Sequence, residues 1–239
     1  MVKIQTIYQR LYKAFGPQNW WPGEDSLEII AGAILTQNTA WTNVEKAIRN
    51  LKEQGLLSAR GLRDVPLEDL AKAIRSAGYF NEKAKKLKAF IDFLFINYGG
   101  SVKRMFKKET HLLRQELLEI KGIGRETADS ILLYAGNRAV FVVDAYTRRI
   151  LSRLQLISEK ADYQEIQQLF MQNLPLDAQL FNEFHALFVR LGKDICKKTK
   201  PDCGRCPLVR KGKKQKRKSA LQISYPQFPY GELRLSLRE

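Results

Sequence analysis

Leu117-Leu118-Glu119-Ile120-Lys121-Gly122-Ile123-Gly124-Arg125-Glu126-Thr127-Ala128-Asp129-Ser130-Ile131 ends one helix and begins another across a glycine-flanked turn. Gly122 and Gly124 permit positive φ and a close approach of the backbone to a ligand. Ile123 between them is suited to anchor the turn in the core, leaving the N–H groups that open the next helix to face a phosphate oxygen. Such a contact reads no base sequence. The plainer alternative is a helical hairpin turn with no ligand; the flanking Lys121 and Arg125 favour DNA.

Composition points the same way. The 239 residues carry 41 lysines and arginines against 25 acids, a formal charge of +16, which favours a partner with dense negative charge. A membrane surface is the other candidate. No segment approaches the roughly 18 consecutive apolar residues that a bilayer span needs, and Met1-Val2-Lys3-Ile4-Gln5 lacks a secretory apolar block. Nucleic acid is therefore the expected partner, and a cytoplasmic, nucleoid-associated location is expected with it. Three cysteines, an odd number confined to 196–206, argue against a disulfide framework and for ligation.

With 44% hydrophobic residues the chain can bury a sizeable core. Apolar residues at helical spacing mark 27–51, 67–76, 84–98 and 112–120, so the expected class is all-α. Gly55, Pro66, Gly78 and Gly99-Gly100 punctuate them with short connections. Val140-Phe141-Val142-Val143 has strand-like residue types, but a helical pattern resumes at Ala145, and it reads as an extended linker between lobes. The run 210–218 is almost wholly cationic and reads as a mobile tail segment.

The hairpin together with Val142-Val143-Asp144 resembles the signature of the endonuclease III (helix-hairpin-helix) superfamily of DNA glycosylases, over about residues 26 to 209. The resemblance implies a two-lobed all-α fold with a C-terminal cysteine loop. It divides the chain into a helical domain at 26–135 with the hairpin at about 110–136, a second lobe from 1–25 and 136–209, and a basic tail at 210–239. It also implies a monomer that acts on double-stranded DNA. Asp144 matches the superfamily aspartate at the mouth of the base pocket. Its local chemistry is compatible: a carboxylate opening a helix is held by backbone donors, and an anion there stabilises the oxocarbenium-like state of glycosidic cleavage. The alternative is that Asp144 is a helix N-cap and nothing more.

Members that also cut the strand carry a lysine just before the Thr-Ala of the hairpin helix, and its amine forms a Schiff base with the sugar. Glu126 stands there, so the expected enzyme is monofunctional, with Glu126 either contacting substrate or simply solvated. Trp20-Trp21-Pro22 and Gln37-Asn38-Thr39-Ala40-Trp41 resemble the methyladenine-DNA glycosylase branch. In that branch the segments matching Trp20, Trp21, Pro22 and Trp41 form the damaged-base pocket, while Gln37 matches the residue that fills the gap in the duplex. Flat indole faces suit a flipped, cationic purine, although large aromatics are also ordinary core.

Cys196, Cys203 and Cys206 reproduce three of the four cysteines of the superfamily's iron–sulfur loop, and Gly212 stands where the fourth belongs. A [4Fe–4S] cluster on an incomplete set, a zinc ion with one further donor, and no metal all remain open. His185, on an apolar helix, reads as a core or surface residue. The expected function is excision of alkylated purines of the 3-methyladenine type from duplex DNA. The alternatives are a glycosylase for oxidised pyrimidine or mismatched thymine on the same scaffold, and a lesion-binding module without chemistry.

Overall fold

The computed structural model describes residues 4–20 and 23–209. Trp21, Pro22, Gly212 and the tail 210–239 lie outside the described residues. Among the described residues twelve α-helices follow in order: α1 (Ile4–Phe15), α2 (Ser26–Leu35), α3 (Trp41–Glu53), α4 (Ala59–Asp64), α5 (Leu67–Ala73), α6 (Phe80–Tyr98), α7 (Val102–Met105), α8 (Thr110–Glu119), α9 (Arg125–Ser130), α10 (Ala145–Arg153), α11 (Tyr163–Met171) and α12 (Ala178–Asp194). No β-strand occurs among the described residues, as the helical periodicity implies.

The helix starts follow from side chains that satisfy orphan backbone N–H groups. Asp25, Ser58, Ser101, Asp144, Asp162 and Asp177 each cap the helix they precede, and Asp162 with Glu165 completes a reciprocal capping box. The apolar stretch 27–51 is two helices rather than one. The chain leaves α2 after Leu35 and turns through Asn38 at φ 54°, a left-handed conformation that asparagine tolerates. That break turns Gln37 and Trp41 away from a single helix face.

Two buried apolar clusters form the core. The first gathers Ile30, Ile34 and Leu51 with Phe90, Leu94, Leu117 and Ile123, drawn from α2 through the hairpin. The second gathers Ile7 and Leu11 of α1 with Phe170 of α11 and Phe181, Phe184 and Phe188 of α12. In the second, Phe141 lies flat on Phe170 with ring centroids 3.7 Å apart and meets Phe181 edge-on at 5.6 Å. Edge contacts such as the second add about 0.5–1.5 kcal/mol beyond the area they bury. Between the clusters runs Val140-Phe141-Val142-Val143, which forms neither helix nor strand. Val140 packs into the first cluster and the next three residues into the second. The segment ends at Asp144, so packing on both sides sets where that carboxylate emerges.

Candidate active site

The hairpin forms between α8 and α9. Ile123 is 4% exposed and anchors the turn, and Gly122 has φ +90°. A Cβ at Gly122 would fall 2.6 Å from Lys86 Cγ, so conformation and space both demand glycine. Gly124 differs from expectation: its φ of −92° is open to any residue, and nothing lies within 4 Å of a Cβ placed there. It contributes bare surface, not a special conformation. α9 runs on into a π-helical turn, Ile131–Ala135, which carries Tyr134. Wider turns of this kind are frequent at functional sites.

A cleft of about 1210 Å³ opens beside the hairpin. It brings together Trp20, Gln37, Trp41, Gly122, Gly124, Arg125, Glu126 and Asp144, residues spread over more than a hundred positions of sequence. Ile123 is withdrawn into the core, and Lys121 is exposed outside the cleft wall. Gln37 is tied down: its Nε2 donates to Thr127 Oγ1 at 2.9 Å and to the Gly122 carbonyl at 3.3 Å, and Lys86 Nζ donates to its Oε1.

Asp144 caps a helix and also lines the cleft. Its Oδ1 accepts from the Thr147 N–H at 2.7 Å, capping α10, while the same side chain lines the cleft. Glu126 reaches solvent through the cleft, yet the surrounding walls strip enough of its hydration to raise its carboxyl to about 7, with the Asp144 charge adding to the effect. Tyr134 is pushed well above the usual phenol range, first by burial, then by Asp144 and Glu126. These three groups therefore share one electrostatic neighbourhood.

Sequence reasoning missed Tyr134, Tyr163 and His185 in the cleft wall. His185 lies in the core as expected, but it also reaches the cleft, with Nε2 3.9 Å from Asp144 Oδ2. Arg149, Lys193, Lys197 and Lys198 make a cationic stretch along the same wall. Only the basic composition hinted at that stretch, because its members come from α10, from the last turn of α12 and from the cysteine loop beyond it.

The cysteine loop packs against α10 through arginines. Arg149 Nε donates to the Cys196 carbonyl at 2.9 Å, and Arg153 Nη1 lies 3.2 Å from Cys196 Sγ. Burial raises the Cys206 thiol, with Cys196 and Cys203 contributing. Among the described residues no group of three or more His, Cys, Asp or Glu side chains is arranged to hold a metal ion. With three cysteines in the whole chain, a tetrathiolate [4Fe–4S] site does not fit its donor set.

The family profile described as "HhH-GPD superfamily base excision DNA repair protein" matches residues 31–176. A candidate DNA repair glycosylase of Methanocaldococcus jannaschii, MJ1434, is 51% identical over 207 residues, covering 86% of this chain and 93% of the relative. The Helicobacter pylori 3-methyladenine DNA glycosylase MagIII, solved with 1,N6-ethenoadenine bound, is similar in structure at a TM-score of 0.73 and 29% identity. That match covers 80% of this chain and 98% of the other. An endonuclease III–DNA complex shares the fold at a TM-score of 0.74 and 24% identity, over 87% and 94% of the two chains. The hairpin, the helix-capping aspartate at the cleft and these likenesses agree: the chain belongs to the HhH-GPD superfamily of base excision DNA repair proteins.

Proposed function

We propose that the chain is a monofunctional DNA glycosylase that excises alkylated purines of the 3-methyladenine type from duplex DNA, acting as a monomer. The observation that carries this reading is the convergence of the Asp144 carboxylate and two tryptophans, Trp20 and Trp41, on one cleft rimmed by the hairpin glycines. Base removal requires the nucleotide to leave the stack and enter a pocket with flat walls. Indole faces attract a cationic purine more strongly than a neutral base. The positive charge also loosens the glycosidic bond, so an anion beside the sugar supplies much of the stabilisation that the departing base demands. Gly122 and the N–H groups that open α9 hold a phosphate of the same strand, and the cations at 193–198 follow the backbone beyond it. The purine ligand of the related Helicobacter pylori enzyme supports a purine-sized pocket.

Glu126 supports the absence of strand cleavage. A carboxyl group cannot form the imine that a lysine forms with the sugar, and Glu126 lies at the cleft where that amine would be needed. One assay tests both parts. Methylated duplex DNA incubated with the protein should release 3-methyladenine, identified by chromatography, and leave the abasic strand intact, with no adduct trapped by borohydride. Asp144→Asn keeps an N-cap acceptor while removing the charge, so it should stay folded and lose roughly 100-fold or more in single-turnover rate. Release of thymine glycol or mismatched thymine in place of methylated purines would overturn the substrate assignment, and a good yield of trapped adduct would overturn the monofunctional one.

A further inference from the structure

His185 sits in the middle of α12, 6% exposed, with its ring held edge-on to Tyr134 at 6.0 Å and to Phe141 at 6.4 Å between centroids. Its Nδ1 lies 3.1 Å from the Val142 carbonyl oxygen. A carbonyl oxygen can only accept, so Nδ1 carries a proton, and in the neutral form of the ring Nε2 presents a lone pair. That nitrogen lies 3.9 Å from Asp144 Oδ2, while Asp144 Oδ1 is occupied by the Thr147 N–H.

Two acceptors thus face each other at a distance too long for a hydrogen bond and with no proton between them. A group that donates twice satisfies both. A water molecule about 2.8 Å from each atom spans this gap. With both hydrogens directed inward, its remaining lone pairs face the cleft, where the sugar of an extruded nucleotide would stand.

We propose that His185 and Asp144 together hold the water that attacks the sugar, with His185 Nε2 accepting its proton. The inference rests on the reading of the cleft as a glycosylase site. As the water oxygen bonds to C1′, the bond from C1′ to the purine nitrogen breaks and its electron pair stays on the base. A cationic purine thereby leaves neutral and needs no proton of its own. The proton of the water passes to Nε2, while Asp144 remains a carboxylate facing the positive sugar. The Nδ1–H bond to Val142, one residue along the segment from Val143 and two from Asp144, keeps the imidazole in the tautomer that this transfer needs.

Two substitutions separate this role from a structural one. In His185→Asn the side-chain amide nitrogen stands near the place of Nδ1 and can still donate to Val142, but nothing reaches the place of Nε2. In His185→Gln the longer side chain returns an acceptor to the Nε2 position and gives up the Val142 bond. For single-turnover release of 3-methyladenine by the full chain, the expectation is a loss of about 100-fold for His185→Asn at unchanged melting temperature and DNA affinity, partly restored in His185→Gln. The reverse order, with His185→Asn near wild type and His185→Gln impaired, would mean that the residue only anchors Val142 and would overturn the proposal. So would wild-type rates in both variants while Asp144→Asn is inactive, an outcome that leaves the glycosylase reading intact. A fully active Asp144→Asn protein would instead sink that reading, and this inference with it. A crystal structure of the wild type bound to abasic-site DNA gives a check independent of rate. Electron density for a water within hydrogen-bond reach of both Nε2 and Oδ2 is expected, and a direct contact between the two atoms would refute it.

Discussion

Glu126 illustrates how a single residue changes meaning once its neighbours are known. In the sequence it is one acid in the first turn of a short helix, a place where carboxylates are ordinarily comfortable. In the fold it faces Asp144 across the cleft, and the loss of hydration with that charge lifts its carboxyl from 4.5 to about 7. The folded state therefore binds more protons than the unfolded state between those values, and stability falls as pH rises through that window. Glu126→Gln should flatten this fall and raise stability at pH 8 relative to wild type. The gain is under about 1 kcal/mol because the side chain reaches water and solvent screens it. Urea denaturation of both proteins at pH 5 and pH 8 measures the effect, and parallel pH dependence in the two would contradict it. The sequence shows which residue replaces a lysine here, but not what its surroundings do to its proton.

At the scale of the element, the hairpin is a turn whose two glycines have different duties. Gly122 combines φ +90° with a neighbour, Lys86, that leaves no room for a Cβ, whereas Gly124 has an ordinary φ and open space. Gly122→Ala should lower the melting temperature and weaken binding to undamaged duplex about tenfold, because the turn must shift its outward N–H groups to accommodate the methyl. Gly124→Ala should leave the melting temperature within error of wild type. Equal melting temperatures for the two alanine variants, in a scanning thermal melt, would show that the conformational argument fails. The hairpin itself was legible because a turn's glycines, anchor and helix start lie within ten residues. The division of the stretch 27–51 was not, since the break at 36–40 lacks a proline or glycine and depends on Asn38 accepting a left-handed backbone. α6 likewise begins at Phe80, four residues before its apolar pattern does, because the polar Asn81, Glu82 and Lys83 interrupt the periodic signal even though Lys83 is itself buried.

For the molecule as a whole, Asp129 joins what the two apolar clusters leave apart. It is fully buried, and its oxygens accept from Arg114 Nε and Nη2 at 2.6 and 2.9 Å, from the Tyr163 hydroxyl at 2.8 Å and from Gln167 Nε2 at 2.8 Å. Gln167 also donates to the Phe141 carbonyl, and Tyr163 accepts from the Val143 N–H, so the network grips the segment that presents Asp144. Asp129→Ala leaves the Arg114 guanidinium without its partner and should cost about 3–5 kcal/mol in chemical denaturation. It should also slow excision, because Asp144 loses its support. A variant that melts like wild type would show the network to be dispensable. Tyr163 and Gln167 lie 34 and 38 residues from Asp129, and no local pattern joins them. The sequence by itself determined the all-α class, the glycine-flanked hairpin, the candidacy of Asp144 and the lack of an amine at position 126, because each is written in residues close enough to share a turn or a helix face. Only the tertiary structure decided that His185, Tyr134 and Tyr163 belong to the same cleft and that Glu126 holds its proton near neutrality. Proximity between distant helices, and the water it removes, is a property of packing that no stretch of chain carries alone.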